Sequence, residues 1–173
     1  MTYWLMKSEP EVFGIEHLRR KGVSSWDGVR NYQARNNLMA MAVGDRVLFY
    51  HSNAAPTGVA GEAEVVRRAY PDHTAWDTTS DYYDAKSTPE KTRWMMVDVR
   101  FVCVYPRIVT LEEIRSMPTL SDMVLVNNSR LSVQPVTSRE FTIIQRQAAM
   151  PPAPAPATRA GRTAPRPSSR RSP

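Results

Sequence analysis

The residues best equipped for chemistry lie together between Ser24 and Asn37, in the stretch Ser-Ser-Trp-Asp-Gly-Val-Arg-Asn-Tyr-Gln-Ala-Arg-Asn-Asn. Trp26 and Tyr32 offer flat faces, and Arg30, Arg35, Asn31 and Asn36 set hydrogen-bond donors and acceptors around them. Gly28 permits a tight turn between the two halves. A ring with polar groups converging near its edge suits a planar heterocycle such as a nucleobase, which can be stacked and read along its edge at once. A second reading fits the same residues: a surface loop whose tryptophan folds back and anchors in the core.

Other chemistries find less support. The histidines, His17, His51 and His73, show no His-x-x-His or Glu-x-x-His spacing, and Cys103 is the single cysteine, so no zinc site is expected. There is no Gly-x-Ser-x-Gly elbow and no Walker loop, and Gly58-Val-Ala-Gly61 does not complete a dinucleotide fingerprint, so no cofactor is expected. Cys103 falls in register with Val99, Phe101 and Tyr105 and reads as a core residue. His51, at a strand end beside Ser52, is the one general-base candidate; the commoner role is a strand-end histidine bonded to backbone. Asp72, Asp77, Asp81 and Asp84 cluster in a polar insert and read as solvated loop acids. Trp76, Tyr82 and Tyr83 of the same insert read as a cover.

Hydrophobic periodicity places these groups on short elements. Residues 3–7 read as a buried strand, with Ser8 as N-cap and Pro10 in the first turn of a weak helix. The clearer helix spans 15–21 and stops at Gly22. A turn follows at Trp26, then a helix over 31–41 that places Asn31 and Arg35, and also Tyr32, Arg35 and Met39, on shared faces. Strands are expected over 46–51 and 58–70, the glycines of the second marking strong bending or close backbone approach. The polar insert occupies 71–90. The longest strand covers 93–105 and ends at Pro106. Thr110 and Thr137 open two further helices, the second ending near residue 147, and a last strand fits within 130–136. Five or six strands with helices inserted and no regular βαβ alternation give an α+β domain over residues 1–147, built on a small bent β-barrel or half-barrel.

The charge is unevenly spread. From residue 148 onward there are five arginines and no acid, which leaves 18 basic against 17 acidic residues before it and a net charge of +1 out of the total +6. A nucleic-acid role for the body must therefore rest on a local patch. The segment 148–173 holds seven of the fourteen prolines and reads as a disordered Pro/Ala/Arg-rich tail. The first residues lack a long apolar stretch and no run of eighteen apolar residues occurs, so neither a signal peptide nor membrane association is expected, and the lone cysteine suits a reducing cytoplasm. A monomer is expected.

Four motifs, Lys7-Ser8-Glu9-Pro10, Trp26 to Asn36, Val43 to Ser52, and Ser129-Arg-Leu-Ser-Val-Gln-Pro-Val136, occur in one order over nearly the whole body. Together they resemble the EVE domain, a family of small bacterial proteins related to thymocyte nuclear protein. The resemblance implies a PUA-like fold, a small bent barrel with flanking helices akin to YTH readers and ASCH domains. It also implies recognition of a modified base, a modified cytosine such as 5-methylcytosine, taken out of its stack in DNA or RNA. Carried over by motif, Trp26 resembles the aromatic wall and Ser8 the group beneath the base edge. Asn31, Tyr32 and Arg35 resemble pocket rim and phosphate contacts, and Ser129, Arg130, Leu131 and Ser132 the opposite wall. Lys7, Arg30, Asn36, Tyr50, His51 and Ser52 lie in the same motifs as further candidates. Where the family often carries an aromatic pair, this chain reads Trp94-Met95-Met96, which implies a packing change on the long strand.

The function expected is therefore non-catalytic reading of a modified nucleobase in nucleic acid. The rivals are an ASCH-like hydrolase acting on RNA or a modified nucleoside, with His51 or a loop acid as base, and a structural module in which Trp26 is buried. The reader hypothesis expects Trp26 to be partly exposed.

Overall fold

The computed structural model describes residues 1–151. In chain order the elements are β1 (Tyr3–Ser8), α1 (Pro10–Phe13), α2 (Ile15–Lys21), β2 (Val23–Trp26), α3 (Tyr32–Ala40), β3 (Arg46–His51), β4 (Gly58–Pro71), β5 (Met95–Thr110), α4 (Leu111–Ser116), α5 (Val124–Asn127), β6 (Val133–Val136) and α6 (Ser138–Ala149). The strands form one sheet in the order β2-β5-β4-β3-β1-β6. The pair β1–β3 is parallel, and its other neighbours are antiparallel.

Both faces of the central strands are covered, which explains their nearly continuous apolar sequences. Trp4, Met6, Val47 and Phe49 point to one core with Leu18 of α2 and Leu38 of α3. Leu5, Leu48 and Tyr50 point to the other with Ile114, Phe141 and Ile144 of α4 and α6. The α+β class and the bent sheet are as expected. A Cβ at Gly58 would collide with the Val109 carbonyl and one at Gly61 with the Cys103 carbonyl, so these glycines let β4 and β5 cross at close range. The bend stops short of closure: among the described residues β2 and β6 are the sheet's two ends and do not pair with each other.

Several boundaries differ from the sequence expectation. The expected Trp26 turn contains an edge strand, β2, with Trp26 opposite Val97. Pro106 does not end β5; it falls where four residues of β5, Tyr105 to Ile108, lie between the residues paired with Gly61 and Val59 of β4, an irregularity that tolerates a missing N–H. Ser8 closes β1, and the cap of α1 is Glu9 without a side-chain bond. The capping boxes at Thr110 and Thr137 form as read. Helix α6 runs to Ala149, and Arg107 donates to the Gln147 and Met150 carbonyls at its end. The expected tail lies, from residue 152, outside the described residues. No helix among the described residues is long and apolar enough to cross a membrane.

Candidate functional site

The parallel pair β1–β3 directs its carboxyl ends to one edge of the molecule, the usual place for a ligand in such a sheet. There Ser52 N–H donates to the Ser8 carbonyl at 3.0 Å, and Lys7 N–H to the Ser132 carbonyl at 2.9 Å. The ends of β1 and β3 are thereby tied to segment 129–132, and a cleft of about 740 Å³ opens beside them. Lys7, Ser8, Ser52, Ser129, Arg130 and Ser132 form one side of it; β2 and the following loop, Ser24 to Arg30, form another. Glu9, Val12, Phe13, Lys21 and Tyr82 complete the lining.

Trp26 is the aromatic of this cleft, but it is only 7 % exposed. Pairing of β2 with β5 turns its ring inward, edge-to-face on Phe49 at 5.2 Å and on Phe13 at 6.2 Å. It therefore offers the cleft a strip of ring rather than the open face expected from the sequence. Its indole N–H differs from those of Trp4 and Trp94. Trp4 Nε1 donates to Asp45 at 3.0 Å and Trp94 Nε1 to Asp84 at 2.7 Å. Trp26 Nε1 has no partner among the described residues, nor is it shut off from solvent. A largely buried ring with a free donor, lining a cleft, is a group set to meet a ligand.

The loop after Trp26 is held by one buried carboxylate. Asp72 accepts from Gly28 N–H at 2.9 Å, from Arg30 at 2.8 Å, and from the Thr74 amide and hydroxyl at 3.0 and 2.6 Å. Burial alone would raise its pKa; the bonds from Thr74, Arg30 and Gly28 and the charge of Arg30 outweigh it and hold the carboxyl below its ordinary value. Gly28 has φ +77°, and a Cβ there would lie 2.8 Å from the Tyr82 ring, so any other residue would be strained and would have to displace that ring. Arg30 also donates to the carbonyls of Val29 and Tyr82 and to Thr74, and its guanidinium lies 5.6–5.7 Å from the Trp94 and Tyr82 ring centres. It lines the cleft as a bolt between the β2 loop and the polar insert, with little donor capacity left for a ligand.

The remaining expected residues divide. Asn31 accepts from Ala34 N–H and caps α3, which then leads away from the cleft. Tyr32 stacks on Trp94 at 4.9 Å and lies under the Arg35 guanidinium at 4.8 Å. Arg35 donates to the Arg93 carbonyl and to Asn36. This group is a separate surface and does not line the cleft. Leu131 is a core residue. Tyr50 is buried, and burial pushes its hydroxyl up to about 12. His51 Nε2 accepts the Ile15 amide at 3.0 Å, so it fills the backbone-bonded role, and burial lowers its pKa. Lys7 donates to the Ser129 carbonyl above the Tyr50 ring, and burial pulls its ammonium down to about 8. Arg130 is exposed and forms no ion pair among the described residues.

Sequence reasoning missed Asp27, Lys21 and Tyr82 as lining residues and Asp72 as the anchor. Asp27 stood in plain view beside Trp26, whereas Asp72, one of several insert acids, carries no local sign of its long-range bonds. The insert acids are mostly engaged in local structure: Asp77 accepts from Thr79 and Asp84 from Trp94 and Lys86.

The sequence profile of the EVE domain matches residues 2–147. Human thymocyte nuclear protein 1 is 43 % identical over 162 residues, spanning 83 % of this chain and 72 % of its own length. A hypothetical protein from Leishmania major superposes with a TM-score of 0.85 at 54 % identity, covering 86 % of this chain and 95 % of that one. The human THYN1 protein, solved in complex with DNA containing 5-methylcytosine, superposes with a TM-score of 0.84 at 41 % identity, covering 88 % of this chain and all of the other. Profile, sequence identity and fold agree over nearly the whole body, and the chain belongs to the EVE domain family.

Proposed function

We propose that this protein is a non-catalytic reader of a modified cytosine, 5-methylcytosine in the first instance, presented by a nucleic-acid strand to the Trp26 cleft. The observation that carries the reading is the free indole N–H of Trp26 in a cleft large enough for a nucleotide, in a fold shared with a THYN1 protein bound to DNA containing 5-methylcytosine. In this reading the base leaves its stack and enters beside Trp26. Ser8, Ser52, Ser129 and Ser132 supply hydroxyls around it, and Lys7 and Arg130 face the backbone that leads in and out. Ser8 is free for this task because it caps no helix. The hydrolytic alternative is weakened by the state of its proposed base: His51 Nε2 is occupied by the Ile15 amide and lies outside the cleft lining.

The test is a titration of the full chain with oligonucleotides identical except for one cytosine or 5-methylcytosine. One added methyl in an apolar seat is worth about 0.8 kcal/mol from transfer, and close fit raises this to about 1–3 kcal/mol. The expected preference is therefore about 4-fold to 200-fold for the methylated base. Equal affinity for both would end this reading. Mass change of the oligonucleotide on incubation would instead support the hydrolase.

A further inference from the structure

A reader that seats a 5-methyl group must still refuse thymine, which is 5-methyluracil and carries the same methyl at the same ring position. The two bases differ on the neighbouring edge: 5-methylcytosine has an amine at position 4, thymine a carbonyl oxygen. An apolar seat for the methyl cannot separate them, whereas a hydrogen-bonding group opposite position 4 can.

Asp27 has that chemistry. It follows Trp26 directly, lines the cleft and is half-buried. Its Oδ2 accepts from Ser25 Oγ at 3.1 Å, and Ser25 is fixed in β2 opposite Asp98, so the carboxylate is tethered to the sheet. Oδ1 accepts no hydrogen bond among the described residues, and no lysine or arginine among them pairs with the group, although Lys7, Lys21, Arg30 and Arg130 line the same cleft. Arg30 is committed to Asp72 instead. Glu9, the other acid of the lining, is exposed and receives Asn53. An unpaired carboxylate in a cleft that receives a polyanion weakens binding unless it meets a donor. The exocyclic amine of cytosine is such a donor, and carboxylates accept from it. Thymine would bring its O4 lone pairs against the Asp27 oxygen.

We infer that Asp27 selects cytosine over thymine by accepting a hydrogen bond from the exocyclic amine of the bound base. The inference rests on the modified-cytosine reading and names the group that sets its base identity.

The experiment uses the full chain and Asp27→Asn with three single-stranded oligonucleotides that carry 5-methylcytosine, thymine or cytosine at one position. Single strands remove differences in base-pairing energy. The native protein is expected to bind 5-methylcytosine about 10-fold or more tighter than thymine. In Asp27→Asn the amide can donate as well as accept, so 5-methylcytosine weakens, thymine strengthens and their ratio moves towards one. A gain for thymine cannot come from a damaged cleft. An unchanged ratio, or equal loss with all three oligonucleotides, overturns the inference. If the native protein prefers 5-methylcytosine to cytosine and Asp27→Asn leaves the thymine ratio unchanged, only the role of Asp27 fails. If the native protein does not prefer 5-methylcytosine to cytosine, the reading beneath it fails as well.

Discussion

Trp26 is asked to do two things at once, and its geometry makes them separable. The ring fills core space against Phe13 and Phe49, and the indole N–H has no hydrogen-bond partner among the described residues. Trp26→Ala is expected to destabilise the fold by about 3–5 kcal/mol in urea unfolding, the cost of a cavity where a large aromatic stood. It cannot then serve as a clean probe of binding. Trp26→Phe keeps a ring in the same place and should recover most of that stability, yet it has no N–H. If the indole donates to the base, Trp26→Phe weakens the methylated oligonucleotide by about 5-fold to 10-fold, the worth of one hydrogen bond. Native affinity in a stable Trp26→Phe protein would return the residue to a purely structural role. The type of this residue was legible in the sequence and its burial was not. Val23 to Trp26 holds two serines and too little alternation to announce a strand, and only the pairing with β5 turns the ring inward. Asn31, Tyr32, Arg35 and Asn36 misled in the opposite sense. They are contiguous with Trp26 in the chain, but the cap at Asn31 starts a helix that carries them to another surface.

At the scale of elements, two polar bolts hold the cleft wall. The first is Asp72, which joins the β2 loop to the insert. Asp72→Ala would leave Arg30 and the Gly28 amide without their acceptor, and the loss of one partner from a buried charge pair is worth about 3–5 kcal/mol. The expected result is a drop of that size with faster proteolysis at residues 27–30; a stable variant with an unchanged digestion pattern would show that the bolt is redundant. The second bolt is His51, which joins the end of β3 to the start of α2 by accepting the Ile15 amide. Protonation of Nε2 destroys the acceptor, and burial also holds the folded pKa below 6.5. The unfolded chain therefore binds this proton first, and the stability His51 contributes is present above about pH 6.5 and declines as pH falls from there to the folded pKa. Asp45, Asp72 and Glu113, all held below their ordinary values, add their losses only lower, below about pH 4. Unfolding free energy should decline in the native protein as pH falls below about 6.5, and His51→Gln should flatten that part of the curve. An identical slope in the variant would place the proton elsewhere. The strands and capping boxes behind these bolts were readable because each has a local signature. The course of β5 through Pro106 was not, because it depends on the register shift against β4.

For the whole molecule the decisive quantity is where the charge sits. Fold class, strand count and the family motifs were legible because they repeat local chemistry along the chain; closure of the sheet was not, since it depends on whether β2 meets β6. Charge distribution needs no fold at all. Residues 152–173 carry five of the 23 lysines and arginines and no acid, and the rest of the chain holds 18 against 17. A body of net charge +1 attracts a polyanion only through local cations, here Lys7, Lys21 and Arg130 around the cleft. General affinity and base selectivity should thus be carried by different parts of the chain. Each arginine that displaces a counterion from duplex DNA adds about 0.9 to the slope of log K against log salt. Deleting 152–173 should lower that slope by up to about 4.5 for an unmethylated duplex, with the largest loss of affinity at low salt. The ratio of affinities for 5-methylcytosine over cytosine should not change, because both members of the ratio lose the same contribution. Thermal stability should stay within about 4 °C, the shift that about 1 kcal/mol gives in a domain of this size, since α6 and the Arg107 bonds to Gln147 and Met150 lie before the cut. A truncated protein that keeps the native salt slope would show that the arginines of that segment meet no phosphate. One that keeps the slope of the body but loses the methyl preference would move part of the base-reading site out of the cleft and into residues 152–173.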